Sequence, residues 1–394
     1  MRCNCCYVPN LRFDNESWTE SKMGNVCSKF DYGIGAEAID FDGKNRYIRI
    51  TDIDEENSHY IRKSEVSPSF TDENCIVKEN DILFARTGAS TGKTYLYNEQ
   101  DGKLYFAGFL IRANVKNEFS AYFIYQQTKI DRYKKWIKIM SARSGQPGIN
   151  AKEYQEYKVY YPNRQIQDKV ASFFTLLDQR IDTQSKIINI FKTLKKIISD
   201  QIFNKKDDKI RYEKLKNFAI LKNGYAFKSD EYVNNGLYKI ITISNVQGSR
   251  YIDISDCNTI DKLPNDLKSH QLLKLNDILI SLTGNVGRVS LCNKQNCLLN
   301  QRVGLIEVID KEMNEYLYQC LSNYYFEKTM ISNGQGAAQL NISKNDVENF
   351  EIPINLDKRI VKLLEILDNK ILLEQFFLEK LKEQKKYLLS NMFI

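Results

Sequence analysis

Asn80-Asp81-Ile82-Leu83, followed by Arg86-Thr87-Gly88-Ala89-Ser90-Thr91-Gly92-Lys93, returns later in the chain. The second version is Asn276-Asp277-Ile278-Leu279, followed by Leu282-Thr283-Gly284-Asn285-Val286-Gly287-Arg288. A short apolar run closed by glycine-rich turn chemistry is what a buried strand and its exit require. Its recurrence at a spacing of roughly 190 residues marks an internal duplication. Working outward, the parallels continue. Ser144-Gly145-Gln146-Pro147-Gly148-Ile149-Asn150 is answered by Asn333-Gly334-Gln335-Gly336-Ala337-Ala338-Gln339-Leu340-Asn341. Phe174-Thr175-Leu176-Leu177-Asp178 is answered by Leu364-Glu365-Ile366-Leu367-Asp368, and Asp200-Gln201-Ile202-Phe203 by Ser390-Asn391-Met392-Phe393. Two related globular units, each followed by a long helix, can meet a two-part target, with each half reading its own portion.

The long helices are legible from their periodicity. From Arg164 to about Lys205 there is no Gly or Pro, and Asn163 is placed to cap the start. Ile166, Val170, Phe173, Phe174, Leu177, Ile181, Ile188, Phe191, Leu194, Ile198 and Ile202 recur at helical spacing. That stripe is wider than a bare coiled-coil seam, so it predicts packing on more than one neighbour. A helix of about 40 residues reaches roughly 60 Å. The sister helix starts after Pro353, with Ile360, Leu363, Leu364, Leu367, Ile371, Phe377, Leu378, Leu381, Leu388 and Met392 as its stripe. Arg180 and Gln184 interrupt the first stripe where Lys370 and Glu374 interrupt the second. They read equally as a register device for the helix pair or as residues pointing to solvent.

The resulting division is an amino-terminal segment 1–16, a first globular unit 17–163, a helix 164–206, a second unit 207–355 and a second helix 356–394. Strand-type stretches in the first unit are 46–50, 81–85, 104–106 and 157–161; in the second, 238–243, 277–280, 304–308 and 350–352. A helix is predicted at 118–139 and its counterpart at 314–332. The fold class is therefore α+β: two mixed units separated by two long antiparallel helices forming a coiled coil.

Composition narrows the function. Hydrophobic residues make up 42% of the 394 residues, enough for a core in each unit, and the formal charge of +7 suits an anionic partner. No run of about 18 apolar residues is present, so no membrane span is expected. The nine cysteines are odd in number and scattered, which fits a reduced, cytoplasmic chain. Cys3, Cys5 and Cys6 lack the C-x-x-C spacing of a zinc site, and the expectation is no metal. Thr87-Gly88-Ala89-Ser90-Thr91-Gly92-Lys93 is one residue short of a phosphate-binding loop, so it reads as a turn after a buried strand. With two histidines at unmatched positions and no nucleophile or paired-carboxylate motif, the chain reads as a binder and not as an enzyme.

Arg, Gln and Asn recognise base edges, and Lys and Arg neutralise phosphates. The glycine-rich basic loop therefore nominates Arg143 and Gln146, with Gln335 in its sister. Arg46, Arg49, Arg86, Lys93, Tyr225, Lys228, Arg250, Arg288 and Arg302 complete the DNA-contact candidates.

Gly224-Tyr225-Ala226-Phe227-Lys228-Ser229, Thr283-Gly284-Asn285-Val286-Gly287-Arg288, Asn300-Gln301-Arg302-Val303 and Gly336-Ala337-Ala338-Gln339-Leu340-Asn341, within this repeat, resemble the specificity subunit of type I restriction-modification systems. Val8-Pro9-Asn10-Leu11-Arg12-Phe13 followed by Trp18 resembles that family's opening. The resemblance implies two target recognition domains held apart by the helices, binding double-stranded DNA at a bipartite, asymmetric site. It implies two modification subunits as partners and two motor-nuclease subunits that can join them. S-adenosylmethionine, ATP and Mg2+ would belong to those partners and no cofactor to this chain. If both units approach one face of a duplex, their centres would lie roughly 34–36 Å apart. One departure stands out: copy one has Phe106-Ala107-Gly108-Phe109-Leu110-Ile111 where copy two has Asn300-Gln301-Arg302-Val303-Gly304-Leu305. The competing reading is a coiled-coil scaffold whose duplicated domains bind protein.

Overall fold

The computed structural model describes residues 17–55, 57–142, 147–203, 210–336, 339–354 and 357–393. The chain divides into two compact units, Met1–Thr183 with Leu378–Ile394, and Gln184–Phe377. Each unit therefore contains part of both long helices.

The first unit is built on a four-stranded antiparallel sheet in the order Cys27–Tyr32, Leu110–Val115, Asp81–Ala85, Thr94–Leu96. The second has the same sheet in the same order: Ala219–Asn223, Val303–Val308, Ile278–Ser281, Val289–Leu291. Both repeat a parallel pair beside it, Arg46–Ile48 with Leu104–Phe106 and Tyr238–Ile241 with Cys297–Leu299. Both also close with a short antiparallel ribbon, Thr19–Lys22 with Lys158–Tyr161 and Tyr212–Lys214 with Glu351–Pro353. The duplication read from short motifs is thus a duplication of topology.

The repeated Asn-Asp pair has a backbone reason. Asn80 and Asn276 both stand at φ 67°, a region that Asn tolerates better than bulkier residues. The aspartates that follow accept a backbone N–H, Lys78 to Asp81 and Lys274 to Asp277, each at 2.8 Å, which closes the turn into the strand. Burial raises both carboxyls above their ordinary pKa, with hydrogen bonds and nearby cations opposing.

The Gly88–Lys93 segment is a turn between two antiparallel strands, with no helix after it. Gly92 (φ +90°) and Gly287 (φ +80°) are needed there. A Cβ on Gly92 would meet the Ile137 side chain at 2.7 Å, and one on Gly287 would meet Met330 at 2.7 Å.

The single helices expected at 118–139 and 314–332 are each two helices. The first pair is Ala121–Gln126 and Asp131–Met140; the second is Asn314–Leu321 and Tyr324–Asn333. Thr128 Oγ1 donates to the Tyr125 carbonyl at 2.7 Å and Ile130 turns extended, which ends the first piece. In the second copy Asn323 turns extended and its side chain accepts from Phe326 N at 3.0 Å, starting a new helix. Periodicity alone does not register either break, because the apolar spacing continues across it.

The long helices run Arg164–Phe203 and Lys358–Met392. Asn163 caps the first, its Oδ1 accepting from Ile166 N at 3.1 Å. Val170 and Phe174 of the first helix pack into the core of the first unit with Leu388, Leu389, Met392 and Phe393. Phe203 and Leu364 enter the core of the second unit. Phe173 and Leu194, expected to face inward, are exposed, as are Leu363 and Phe377 of the second helix. The buried stripe is therefore narrower than the apolar one.

Each unit fastens the two helices with the same lysine–aspartate bridge. In the first, Lys385 Nζ meets Asp178 Oδ1 at 2.5 Å; in the second, Lys195 Nζ meets Asp368 Oδ1 at 2.6 Å. Asp178 and Asp368 are equivalent in the repeat, and so are Lys195 and Lys385. Within each unit two cross-helix pairs fix the direction, Phe174 with Phe393 and Asp178 with Lys385 in the first, Gln184 with Glu374 and Lys195 with Asp368 in the second, so the helix segments are antiparallel. Of the four residues proposed for register, Gln184 and Glu374 do meet: Gln184 Nε2 donates to the Glu374 carbonyl at 3.1 Å and to its carboxylate. Lys370 pairs with Glu374 along its own helix at 2.6 Å, and Arg180 is exposed. Gln184 and Glu374 thus lie between the helices, and Arg180 faces solvent.

Candidate nucleic-acid interface

Backbone pairing gathers the scattered motifs at one end of the sheet in each unit. In the second unit Tyr225 bridges Asn300, Leu282 N donates to Arg302 O at 3.0 Å, and Gln301 N donates to Tyr225 O at 2.9 Å. Thr283 and Gln335 both bridge Asn341, and Gly284 N donates to Leu340 O at 2.8 Å. The first unit repeats this. Ile34 bridges Ala107, Arg86 N donates to Phe109 O at 3.1 Å, Thr87 bridges Gly148, and Gly88 N donates to Pro147 O at 2.9 Å. Stretches far apart in sequence thus form one loop surface per unit, built on the ends of buried strands. A rigid sheet end carrying variable loops is a suitable place for recognition.

The side chains on these surfaces differ. In the first unit Arg86 lies over the rings of Tyr32 and Phe109, with its guanidinium carbon 5.0 and 6.0 Å from their centroids. In the second, the Tyr225 ring lies tilted against Phe227, centroids 4.9 Å apart, and its hydroxyl donates to Asp266 at 2.8 Å. That hydrogen bond raises the phenol's pKa. Lys228, Arg302 and Gln335 are exposed. Sequence reasoning missed Tyr32 and Phe109. The available signal was two aromatics beside glycines at strand ends, at 45% and 57% exposure in the structure.

Several nominated cations are held elsewhere, and Arg250 is a clear correction. Its side chain is only 7% exposed and makes a two-pronged contact with Glu315, Nη1 to Oε1 at 2.8 Å and Nη2 to Oε2 at 2.7 Å. It also reaches Asp368 at 3.1 Å, so it serves the interior and offers DNA nothing. Burial works against its charge, but the Glu315 and Asp368 carboxylates outweigh that and raise its pKa. Arg49 is likewise turned back onto Asp52, Nε to Oδ2 at 2.8 Å and Nη2 to Oδ1 at 2.8 Å, fixing the 49–52 turn. Arg46 holds Glu65 at 2.7 Å. Lys93 pairs with Glu55 at 2.7 Å and Arg288 with Glu327 at 3.3 Å. These two equivalent cations lie past the turn and are matched by acids, so part of their charge is already answered within the chain. Arg143 and Gln146 lie outside the described residues, as do Cys3, Cys5 and Cys6. Among the described residues no group of three His, Cys, Asp or Glu side chains is arranged to hold a metal ion. No described helix is long and apolar enough to cross a membrane.

Fold and loop surfaces together define a duplicated recognition protein: two mixed α+β units with the same topology, different reading loops and a shared antiparallel helix pair. The model of the type I restriction modification DNA specificity domain matches residues 15–193 and again 208–383. The chain belongs to this family of DNA specificity domains, and it is a DNA-recognition subunit. The MjaVIII specificity subunit of a type I restriction enzyme from Methanocaldococcus jannaschii is 25% identical over 409 residues, covering 95% of this chain and 92% of the relative. The fold is shared with the S subunit of a type I restriction-modification system from M. genitalium, at a TM-score of 0.62 and 16% identity, covering 98% of this chain and 99% of that one. A second solved chain, from work on assembly and conformational transition of the type I R-M system, gives a TM-score of 0.53 at 15% identity over 94% of this chain and 96% of that chain. The resemblance carried by the short motifs is thus confirmed along nearly the whole chain. The scaffold alternative is not favoured.

Proposed function

We propose that each unit of this chain reads one half of a bipartite, asymmetric double-stranded DNA target, and that the chain then presents the bound site to catalytic partners. The observation that supports this most is the pairing of identical topology with unlike loop surfaces, Tyr32–Arg86–Phe109 in one unit against Tyr225–Asn300–Arg302 in the other. Identical scaffolds carrying different side chains give different half-sites.

The chemistry belongs to other polypeptides on this reading. Two modification subunits seat on the helical pair, and two motor-nuclease subunits can join. Both helices leave large apolar side chains uncovered, including Leu176, Ile190, Ile197, Leu363, Ile366 and Phe376. Apolar surface of that kind is what a protein partner covers. S-adenosylmethionine, ATP and Mg2+ act in those partners; the one glycine-rich segment here that approaches a nucleotide motif is a strand-to-strand turn. The six described cysteines are free thiols, consistent with a cytoplasmic setting.

Replacing residues 17–163 with another recognition domain is expected to change one half of the selected DNA motif and leave the other half intact. Selection from randomised DNA with the partner-bound complex measures this. A change in both halves, or in neither, defeats the assignment of one reader per unit.

A further inference from the structure

Most described arginines are held by a carboxylate, Arg250 and Arg288 among them. Arg86 and Arg302 have no such partner among the described residues. They also stand at the same strand junction in the two units. Arg86 N donates to the carbonyl of Phe109, and Arg86 O accepts from Ile149 N at 2.9 Å. In the second unit Leu282 N donates to the carbonyl of Arg302, and Leu282 O accepts from Ile342 N at 3.0 Å. Arg86 therefore corresponds to Leu282, and Phe109 to Arg302. Both units put one arginine at this junction of two backbone segments, but on opposite sides of it.

Arg86 is also held unusually. Its Nε is buried without a hydrogen-bond partner. The rings of Tyr32 and Phe109 lie within 5.0 and 6.0 Å of its guanidinium carbon. Tyr32 is itself tied down, its hydroxyl accepting from Ala151 N at 3.1 Å. The two rings confine the guanidinium without consuming its charge, and among the described residues no hydrogen bond takes its two terminal nitrogens. An arginine ordered before binding loses less entropy on binding. Two parallel N–H donors offered end-on match the O6 and N7 acceptors of guanine in the major groove.

We propose that Arg86 reads a guanine in one half-site, with Tyr32 and Phe109 as positioning residues, and that Arg302 takes the corresponding place in the other half-site. The proposal rests on the DNA-recognition reading above and names the base chemistry within it. Arginine and lysine serve a phosphate comparably, but only arginine supplies the fork that guanine needs. That difference separates base reading from backbone attraction.

The test uses the full chain in complex with its modification subunits, selecting from randomised duplex DNA. Arg86→Lys is expected to lower the preference for guanine at one base pair of one half-site by about tenfold or more, with the other half-site unchanged. Arg302→Lys should do the same in the other half-site only. Phe109→Ala should weaken the preference at the Arg86 position, and Phe109→Tyr, which keeps a ring, should restore it. Thermal melting of each variant checks that the fold is intact. A uniform loss of affinity with every base preference retained would make Arg86 a phosphate contact and overturn the proposal. An unchanged motif in Arg86→Lys, beside a normal wild-type motif, overturns it alone. A wild-type complex that enriches no motif overturns both it and the functional reading.

Discussion

Arg250→Ala is expected to destabilise the second unit by about 3–5 kcal/mol, because it strips the cation from a buried ionic cluster and leaves its acids behind. Arg250 and Asp368 are each 7% exposed at the side chain, and Glu315 is 27% exposed. Asp368 also receives Lys195 at 2.6 Å and the Gln319 side-chain amide at 2.9 Å. Removing the arginine leaves Lys195 on Asp368 and no cation among the described residues on Glu315, where burial penalises uncompensated charge. Arg250→Lys should recover only part of the loss, since a single ammonium cannot make both contacts to Glu315. Urea unfolding of the purified chain measures the effect. A variant as stable as wild type but altered in one DNA half-site would return Arg250 to the reading surface.

Phe393→Ala is expected to cost the first unit about 3–5 kcal/mol, as large-to-small changes in a packed core do. Phe393 is 4% exposed. Its ring lies 5.1 Å from Phe123, 6.2 Å from Trp18 and 6.3 Å from Phe174, centroid to centroid. Those three side chains come from the short helix Ala121–Gln126, the beginning of the first unit and the first long helix, respectively. The truncation would open a cavity where all three meet. Phe203→Ala tests the equivalent position in the second unit, where Phe203 is 7% exposed within the core. Hydrogen exchange should show loss of protection confined to the unit that carries the change. Equal loss in both units would mean that they unfold as one.

Both predictions concern residues whose roles the sequence displayed unevenly. Phe203 and Phe393 were visible as matching ends of two amphipathic helices, and their burial follows from apolar character at helical spacing. Arg250 was visible only as a cation in a loop. Its acids lie 65 and 118 positions further along the chain. No local pattern encodes a partner at that separation, so an interior arginine and a DNA-facing one look alike on the page. Arg49 is the short-range version of the same problem: Asp52 stands three residues on, but whether the pair closes depends on the turn between them.

Other features were legible because a local physical constraint writes them into composition. The duplicated Asn-Asp turn, the paired glycines, the Asn163 cap and the two long helices each depend on neighbours within a few residues. The helix breaks at Ile130 and Asn323 were not legible, since apolar spacing continues across both while side-chain hydrogen bonds and backbone turns end the helix.

By itself, the sequence determined that the chain is a duplication, that each copy is mixed α+β, that long helices follow each copy, and which family it resembles. These rest on repetition and periodicity, which are properties of residue order. Tertiary structure alone decided that Arg86 and Arg302 have no carboxylate partner among the described residues, that Tyr32 and Phe109 flank Arg86, and that the two arginines stand on opposite sides of equivalent junctions. Those facts depend on which distant segments pair, and long-range pairing is set by the packing of the whole unit, not by any single stretch within it.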